Sequence, residues 1–274
     1  MTAKSAILLF LILLSGFDGL SQKIQRVVSL APSVTEIIYQ VEAKDKLVGC
    51  TSFCTIAKGD KIPEVGSTVD VNIEALFALQ PDLVLAMKLT KTQDIEAMKK
   101  LGIRVEVMES PKNFEEICMQ TLHIAKLIGA QDKAQEEVKK AREKVEEIKL
   151  LAQKNTNNKI FFQLGANPVF TVLENTFMND YITLCNGENI ASGLTKGTIT
   201  RESVLVKNPD VIIIATMGGF GTEEKKVWEK YDGINAVRNH KLFLIDSEAS
   251  CSPTPANFVS ALEDVYRFVS KQIQ

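Results

Sequence analysis

The sequence predicts an α/β protein of two similar lobes with parallel-type sheets, joined by one long rigid α-helix and facing each other across a cleft. Three features carry this. The first is a repeated unit: Val71-Asn72-Ile73-Glu74-Ala75-Leu76 with Pro81-Asp82 and an apolar run, and, 128 positions later, Ile199-Thr200-Arg201-Glu202-Ser203-Val204 with Pro209-Asp210 and another. A single repetition at that distance fits two related lobes, since solenoid periods are far shorter. The second is the alternation of strand-like and helix-like segments along the N-terminal half, which favours a parallel sheet. The third is a charged stretch between the repeats, residues 133–154, with no glycine or proline.

In chain order, Lys4 precedes an apolar run over residues 6–14, followed by Ser15-Gly16 and the small residues Gly19 and Ser21. The run is too short to span a bilayer and has the form of a cleaved secretory signal peptide, residues 1–21. The first cysteine is Cys50, so no lipid anchor at the cleavage point is expected. The expectation is an exported, soluble, periplasmic chain with an N-terminal lobe at 22–130, an interlobe helix at 131–155 and a C-terminal lobe at 156–274.

Residues 26–30 read as a strand, and Ser33-Val-Thr-Glu36 fits a capping box opening a helix through residue 39. A short strand at 46–49 runs into the loop Cys50-Thr-Ser-Phe-Cys54. In each repeat unit Asn72 or Thr200 caps a short helix, a glutamate sits in its first turn, proline stops it, and a buried strand follows. Residues 95–101 form a helix stopped by Gly102, 103–108 a strand, and 113–128 a helix closed by Gly129. In the charged stretch Glu and Lys recur at helical spacing with Ala141, Val145, Ile148 and Leu151 as an apolar stripe, predicting a strut of roughly 30 Å. The second lobe begins at 159–164, turns at Gly165-Ala-Asn-Pro168, and continues with 169–172 and a helix over 176–185. Gly187-Glu-Asn-Ile190 leads to the second repeat, and segments at 227–236 and 241–245 precede a final helix from residue 254.

Lys plus Arg number 32 against 34 Asp plus Glu, with no basic tract, which argues against nucleic acid as a partner. His123 and His240 are the only histidines, too few for a multi-histidine metal site. There is no Gly-x-Ser-x-Gly elbow and no phosphate-binding loop, and Met217-Gly-Gly-Phe-Gly221 alone is weak evidence of a ligand contact. Five cysteines are an odd number for an exported chain. Cys50 and Cys54, three residues apart, suit a local disulfide, plain core packing, or a shared metal in which Cys251 is a third candidate.

The order of lobe, charged helix and lobe, opening on Ser29-Leu-Ala-Pro-Ser-Val-Thr-Glu36, resembles the iron-chelate and cobalamin periplasmic-binding family that serves ABC importers. The likeness rests also on Val48-Gly49, Ile73-Glu-Ala-Leu76 with Pro81-Asp-Leu-Val-Leu85, Leu101-Gly-Ile-Arg-Val105, Cys185-Asn-Gly-Glu-Asn-Ile190, Arg201-Glu202-Ser203 and Ser252-Pro253. Phe162-Gln-Leu-Gly165, Asn167-Pro168 and Phe170-Thr171 resemble a segment of the cobalamin-binding members. The resemblance implies a monomeric receptor with limited closure, no catalysis and no covalent cofactor. Its ligand would be a transported metal chelate: a corrinoid first, a ferric siderophore or haem next. It also implies that Glu74 and Glu202 dock on a two-fold symmetric permease dimer, for which exposed carboxylates on two equivalent helices are suited.

By the same resemblance Phe53 and Phe170 match aromatic ligand contacts and Asp246 an acidic one. Val69, Met87 and Lys196-Gly197 stand where those members carry tryptophan, and Ser250 replaces an arginine. The ligand residues expected are therefore Phe53, Met87, Phe170, Asp246 and Cys251. Cys185 aligns with a disulfide cysteine whose partner position falls near Glu263, so that bridge cannot form here. The rival reading is a thiol-based metal-handling or redox protein on the same fold, using Cys50, Cys54 and Cys251.

Overall fold

A computed structural model describes residues 23–215 and 219–270. The signal peptide expected at 1–21, and Met217 and Gly218 of the glycine cluster, lie outside the described residues. Two sheets build the molecule. In the first, β1 (Val27–Ser29), β2 (Leu47–Cys50), β3 (Leu83–Met87) and β4 (Val105–Met108) are all parallel, in the order β2-β1-β3-β4. Every residue of β3 is buried, because helices cover both faces. One face packs on α1 (Pro32–Gln40), through Val34, Ile37 and Ile38. The other packs on α2 (Ile73–Ala78) and α3 (Thr92–Lys100), through Leu76, Ile95 and Met98.

Two long helices follow, α4 (Phe114–Ile128) and α5 (Gln131–Ala152). Asn113 caps α4 by accepting from the Glu116 amide at 2.8 Å, and Gly129, at φ 72°, closes it, as the sequence predicts. The α5 stripe differs by one position: Ala141, Val145, Ile148 and Ala152 are buried whereas Leu151 is 39% exposed. The buried positions alternate four and three apart, so the position after Ile148 that faces the core is Ala152, and Leu151 stands beside the stripe.

The second sheet comprises β5 (Asn158–Ala166), β6 (Val169–Thr171), β7 (Gly187–Asn189), β8 (Val211–Ile214) and β9 (Leu242–Leu244). The path is β6-β5-β8-β9, with β7 also on β5; only the β5–β6 hairpin is antiparallel. One face rests on α4, α5, α6 (Asn179–Thr183) and α11 (Pro255–Ser270). The other carries α7 (Arg201–Lys207), α8 (Gly221–Trp228) and α9 (Asn235–Arg238). A short helix α10 (Ser247–Cys251) leads into α11. The helix expected over 176–185 is shorter than predicted, and the segment expected at 227–236 divides into the end of α8 and α9.

The two repeat units are structurally equivalent. Asn72 Oδ1 accepts from the Ala75 amide at 2.9 Å, and Thr200 Oγ1 from the Ser203 amide at 3.2 Å. Each helix ends at a left-handed residue before the proline, Gln80 (φ 44°) and Asn208 (φ 46°). The repeated aspartate then ties the new strand to an older one: Asp82 Oδ2 accepts from the Gln25 and Arg26 amides at 2.8 and 2.9 Å, and Asp210 Oδ2 from the Lys159 amide at 2.9 Å. The capping box expected at Ser33–Glu36 is not formed. Pro32 occupies the first turn of α1, Ala31 is the cap residue without a side-chain cap bond, and Ser33 lies already inside the helix.

The candidate ligand cleft

The carboxyl ends of β3 and β4 point at the C-terminal lobe, and the chain leaving them forms one wall of a crevice. Met87 ends β3, with Lys88 and Leu89 beyond it; Glu109 to Lys112 follow β4. The opposite wall comes from Leu164 on β5, Phe170 on β6, the 173–178 segment, Cys251 and Pro253. The crevice, open to solvent along its mouth, offers about 810 Å³. A second lobe of the same space, about 750 Å³, shares Leu164, Phe170, Met178 and Cys251 and reaches Phe220. Three sulfur side chains (Met87, Met178, Cys251) and several aromatic and aliphatic ones therefore face it. The charged groups, Lys88 paired with Glu109 at 2.7 Å and Lys112, are solvent-exposed.

Phe170 is 43% exposed and its ring is set by a close backbone approach. Gly197 carbonyl accepts from the Thr171 amide at 2.8 Å, and the Ile199 amide donates to the Val169 carbonyl at 3.1 Å, so the 197–199 segment lies along β6. A Cβ at position 197 would stand 2.8 Å from Phe170 Cδ1. Cys251 is half-buried, and burial pushes its thiol upward, with a Ser250 hydrogen bond opposing and Asp246 assisting. It faces the cleft as a neutral, polarizable group at neutral pH.

Of the residues expected from the sequence, Met87, Phe170 and Cys251 line this cavity together. Asp246 does not: it lines a separate polar cavity of about 420 Å³ with Glu36, Thr55, Ile56 and Glu248, and its carboxylate caps α10 by accepting from the Glu248 amide at 2.9 Å. Phe53 is 64% exposed and lines neither space. In that second cavity the Glu36 carboxyl is held above the ordinary range, chiefly by burial. The hydrogen bond from Asn257 opposes the shift, and Glu248 and Cys54 reinforce it. The cleft residues that the sequence reading misses are Met178, Leu89 and the 109–112 segment. The last two follow directly on apolar parallel strands, where the topology of α/β sheets places ligands.

All five cysteines are free thiols. Cys50 and Cys54 are buried in one apolar cluster while Cys251 packs against the other, and no group of three or more His, Cys, Asp or Glu among the described residues is arranged to hold a metal ion. Cys118 is core, as expected, and Cys185 is fully buried in the same cluster. Outside the cleft, His123 pairs with Glu106 at 2.8 Å on the surface. Glu74 and Glu202 are exposed in the first turns of α2 and α7.

Two α/β lobes closing on a mostly apolar crevice define an extracytoplasmic solute-binding architecture, and sequence comparison agrees. Residues 27–249 match the periplasmic binding protein family, and the chain belongs to it. It is 32% identical, over 82% of its own length and 73% of the relative's, to the uncharacterized ABC transporter substrate-binding lipoprotein YvrC of Bacillus subtilis. It is 28% identical to the vitamin B12-binding protein of Yersinia pestis, over 71% of each chain. Among solved structures, the periplasmic haem-binding protein HutB of Vibrio cholerae superposes with a TM-score of 0.80 over 90% of this chain and 99% of that one; at 18% identity the likeness is one of fold. The protein is thus a substrate-binding protein of the ABC-transporter type, a family of binders and not of enzymes.

Proposed function

We propose that the protein captures a metal chelate of tetrapyrrole size in the cleft, a corrinoid as first choice with haem or a ferric siderophore next. The observation that carries this is the cavity itself. About 810 Å³ between the lobes, with an apolar and sulfur-rich wall and charges only at the rim, suits a large, flat, amphipathic ligand. The corrinoid is favoured because the relative named for vitamin B12 shares 28% identity across most of both chains, whereas the likeness to the haem-binding protein is one of fold. The working location is outside the cytoplasm, and delivery is to a permease dimer.

In this reading Met87, Phe170 and Cys251 contact the chelate, and Met178 completes the wall. Glu74 and Glu202, carried by equivalent helices, meet basic pockets of the two permease subunits. The test is calorimetric titration of residues 22–274 with cyanocobalamin, with haemin and a ferric hydroxamate in parallel. Saturable micromolar or tighter binding of cyanocobalamin is expected. Binding of haemin or the hydroxamate alone would replace the corrinoid, and no binding of any would overturn the reading. For docking, Glu74→Ala with Glu202→Ala should weaken association with the reconstituted permease and leave ligand affinity unchanged. Equal loss of both would make the glutamates structural.

A further inference from the structure

The pole opposite the cleft carries a basic pocket of its own. The strands of the first sheet are all parallel, so they start together at the base of the N-terminal lobe and end together at the cleft. At that base lies an open depression of about 460 Å³, lined by Lys23, Arg104, His123 and Lys126, with Ile24, Leu127 and Ile128 as its apolar part. The three permanent cations come from separate segments. Lys23 precedes β1, Arg104 precedes β4, and Lys126 lies in the last turn of α4.

The pocket lacks a counter-charge. No carboxylate lines it among the described residues. Glu106, the acid paired with its histidine, is engaged at 2.8 Å. Lys23, Arg104 and Lys126 are exposed, and none of them forms an ion pair among the described residues. Cations at a helix C-terminus complement the macrodipole, and Lys126 is suited to that task. Yet Lys46 already serves the end of α4, its ammonium donating to the Ile128 carbonyl, and Lys23 and Arg104 have no such duty. Like charges gathered without a partner repel one another, and an anion seated among them relieves that repulsion. Lys100 and Leu101, where α3 returns to the same pole, widen the surface: Lys100 is exposed and in no ion pair, and Leu101 is 46% exposed.

The occupant that suits this pole is a lipid surface. Unpaired cations spread around an exposed leucine match a plane of anionic headgroups better than a single small ion. The chain as a whole carries a net charge of -2, so the positive field is local to the pole. Position agrees. The chain enters the lobe at Lys23, and only the eight residues 15–22 separate it from the apolar run at 6–14, at most about 30 Å of extended chain. An apolar segment engaged with the membrane during export therefore sets this pole against the bilayer.

We propose that the base of the N-terminal lobe binds anionic phospholipid headgroups, holding the receptor on the membrane with its cleft turned toward incoming ligand. The helices bearing Glu74 and Glu202 start at the cleft pole, so contact with lipid and contact with a permease use opposite ends of the molecule. The hold is accordingly weak and electrostatic.

The experiment sediments residues 22–274 with vesicles of phosphatidylglycerol and phosphatidylcholine, or of phosphatidylcholine alone, at low salt. Binding to the anionic vesicles only is expected, with release at about 0.5 M salt, where the Debye length is about 4 Å. Lys23→Gln, Arg104→Gln and Lys126→Gln should each weaken partitioning about fivefold, and the triple variant should fall to the phosphatidylcholine level with an unchanged circular dichroism spectrum. A control triple, Lys61→Gln with Lys154→Gln and Lys230→Gln, removes the same charge from exposed positions elsewhere and should still bind. Equal binding to both vesicle types, or equal loss in the control triple, would overturn the proposal. So would binding of inorganic phosphate by a protein that ignores anionic vesicles, since the pocket would then take a free anion.

Discussion

The backbone N–H of Phe114 donates to Asp180 Oδ2 at 2.8 Å, so a carboxylate on α6 supplies the first turn of a helix that starts in the other half of the chain. Phe114 packs in the same cluster as Phe258 and Tyr181, with the Phe258 ring 4.7 Å from each. The lobes are thus joined by shared core and by a hydrogen bond at a helix N-terminus, in addition to the α5 strut. Gln40 Nε2 donating to Thr254 Oγ1 at 2.9 Å, and Asn257 donating to Glu36, add two polar ties. That arrangement favours small closure over wide hinge opening.

Asp180 yields a pH prediction. Burial holds its carboxyl above the ordinary range, the Phe114 bond opposes the shift, and Glu116 adds to it. The folded state therefore binds the proton more tightly than the unfolded chain does. The contribution of Asp180 is most favourable below its unfolded value and falls as pH rises through the raised folded value. Asp180→Asn keeps an acceptor for Phe114 and removes the charge. Its thermal midpoint at neutral pH should equal or exceed the wild type's, with a flatter slope through mildly acidic pH. Asp180→Ala should lose about 1 kcal/mol, the usual effect of removing a helix-cap acceptor. An Asn variant less stable than the Ala variant would refute the assignment.

Equivalent caps should cost equivalent amounts. Asn72→Ala and Thr200→Ala each remove one bond to an amide three residues on. Each should lower unfolding stability by about 1 kcal/mol. Because the caps belong to different lobes, the double variant should show the sum to within about 0.5 kcal/mol. Urea denaturation measures all three; a null effect at either site would mean that water replaces that cap.

The repeat was legible because its signals are local. A cap residue, an acid in the first turn and a proline after the helix lie within eleven positions of one another and act on the same backbone. What the repeated aspartate does was not legible, since Asp82 reaches amides 56 and 57 positions away and Asp210 reaches one 51 away. Only a known strand register gives those partners. The same limit explains the cleft. Phe170 and Met87 were picked out through the family resemblance, whereas Met178 sits between irregular segments with no periodic signature. Ser33 misled because the cap pattern fits it, while Pro32, one position earlier, already fixes the helix start. The sequence offered Cys251 as a partner for Cys50 and Cys54, yet it packs against the core of the other lobe, a separation that only the fold supplies.

Gly197 tests whether Phe170 is a working wall of the cleft. A methyl group there meets the Phe170 ring at 2.8 and 2.9 Å, so the ring must move into the space a ligand would use. Gly197→Ala should leave the circular dichroism spectrum unchanged and weaken cyanocobalamin binding roughly tenfold, about 1.4 kcal/mol. Phe170→Ala, which removes the wall without intruding on the cavity, should weaken it by a comparable factor. Unchanged affinity in both variants would remove Phe170 from the site.

At the start of the repeated helix the second lobe carries a charged residue where the first carries an apolar one. Arg201, at the start of α7, lies 2.5 Å by Nη1 from Glu224 Oε1, without an aligned N–H, so the contact is chiefly ionic. Glu224 is only 5% exposed. Gln163 Nε2 donates to the same Glu224 oxygen at 2.8 Å, and Gln163 Oε1 accepts from Trp228 Nε1 at 2.7 Å. The guanidinium also stacks 4.9 Å above the Trp228 ring. In the first lobe the equivalent of Arg201 is Ile73, packed against the apolar cluster. Glu202 thus stands on a helix held by charge, and Glu74 on one held by packing. Glu224→Ala strands a partly buried guanidinium and should cost about 3–5 kcal/mol, whereas Arg201→Met with Glu224→Leu should recover most of that loss. A double-mutant cycle by urea denaturation separates pair energy from desolvation. A loss below about 1 kcal/mol for Glu224→Ala would mean that solvent reaches Arg201 and the network does not fix α7. A large loss recovered in the double variant would identify it as the device that sets the attitude of the Glu202 helix.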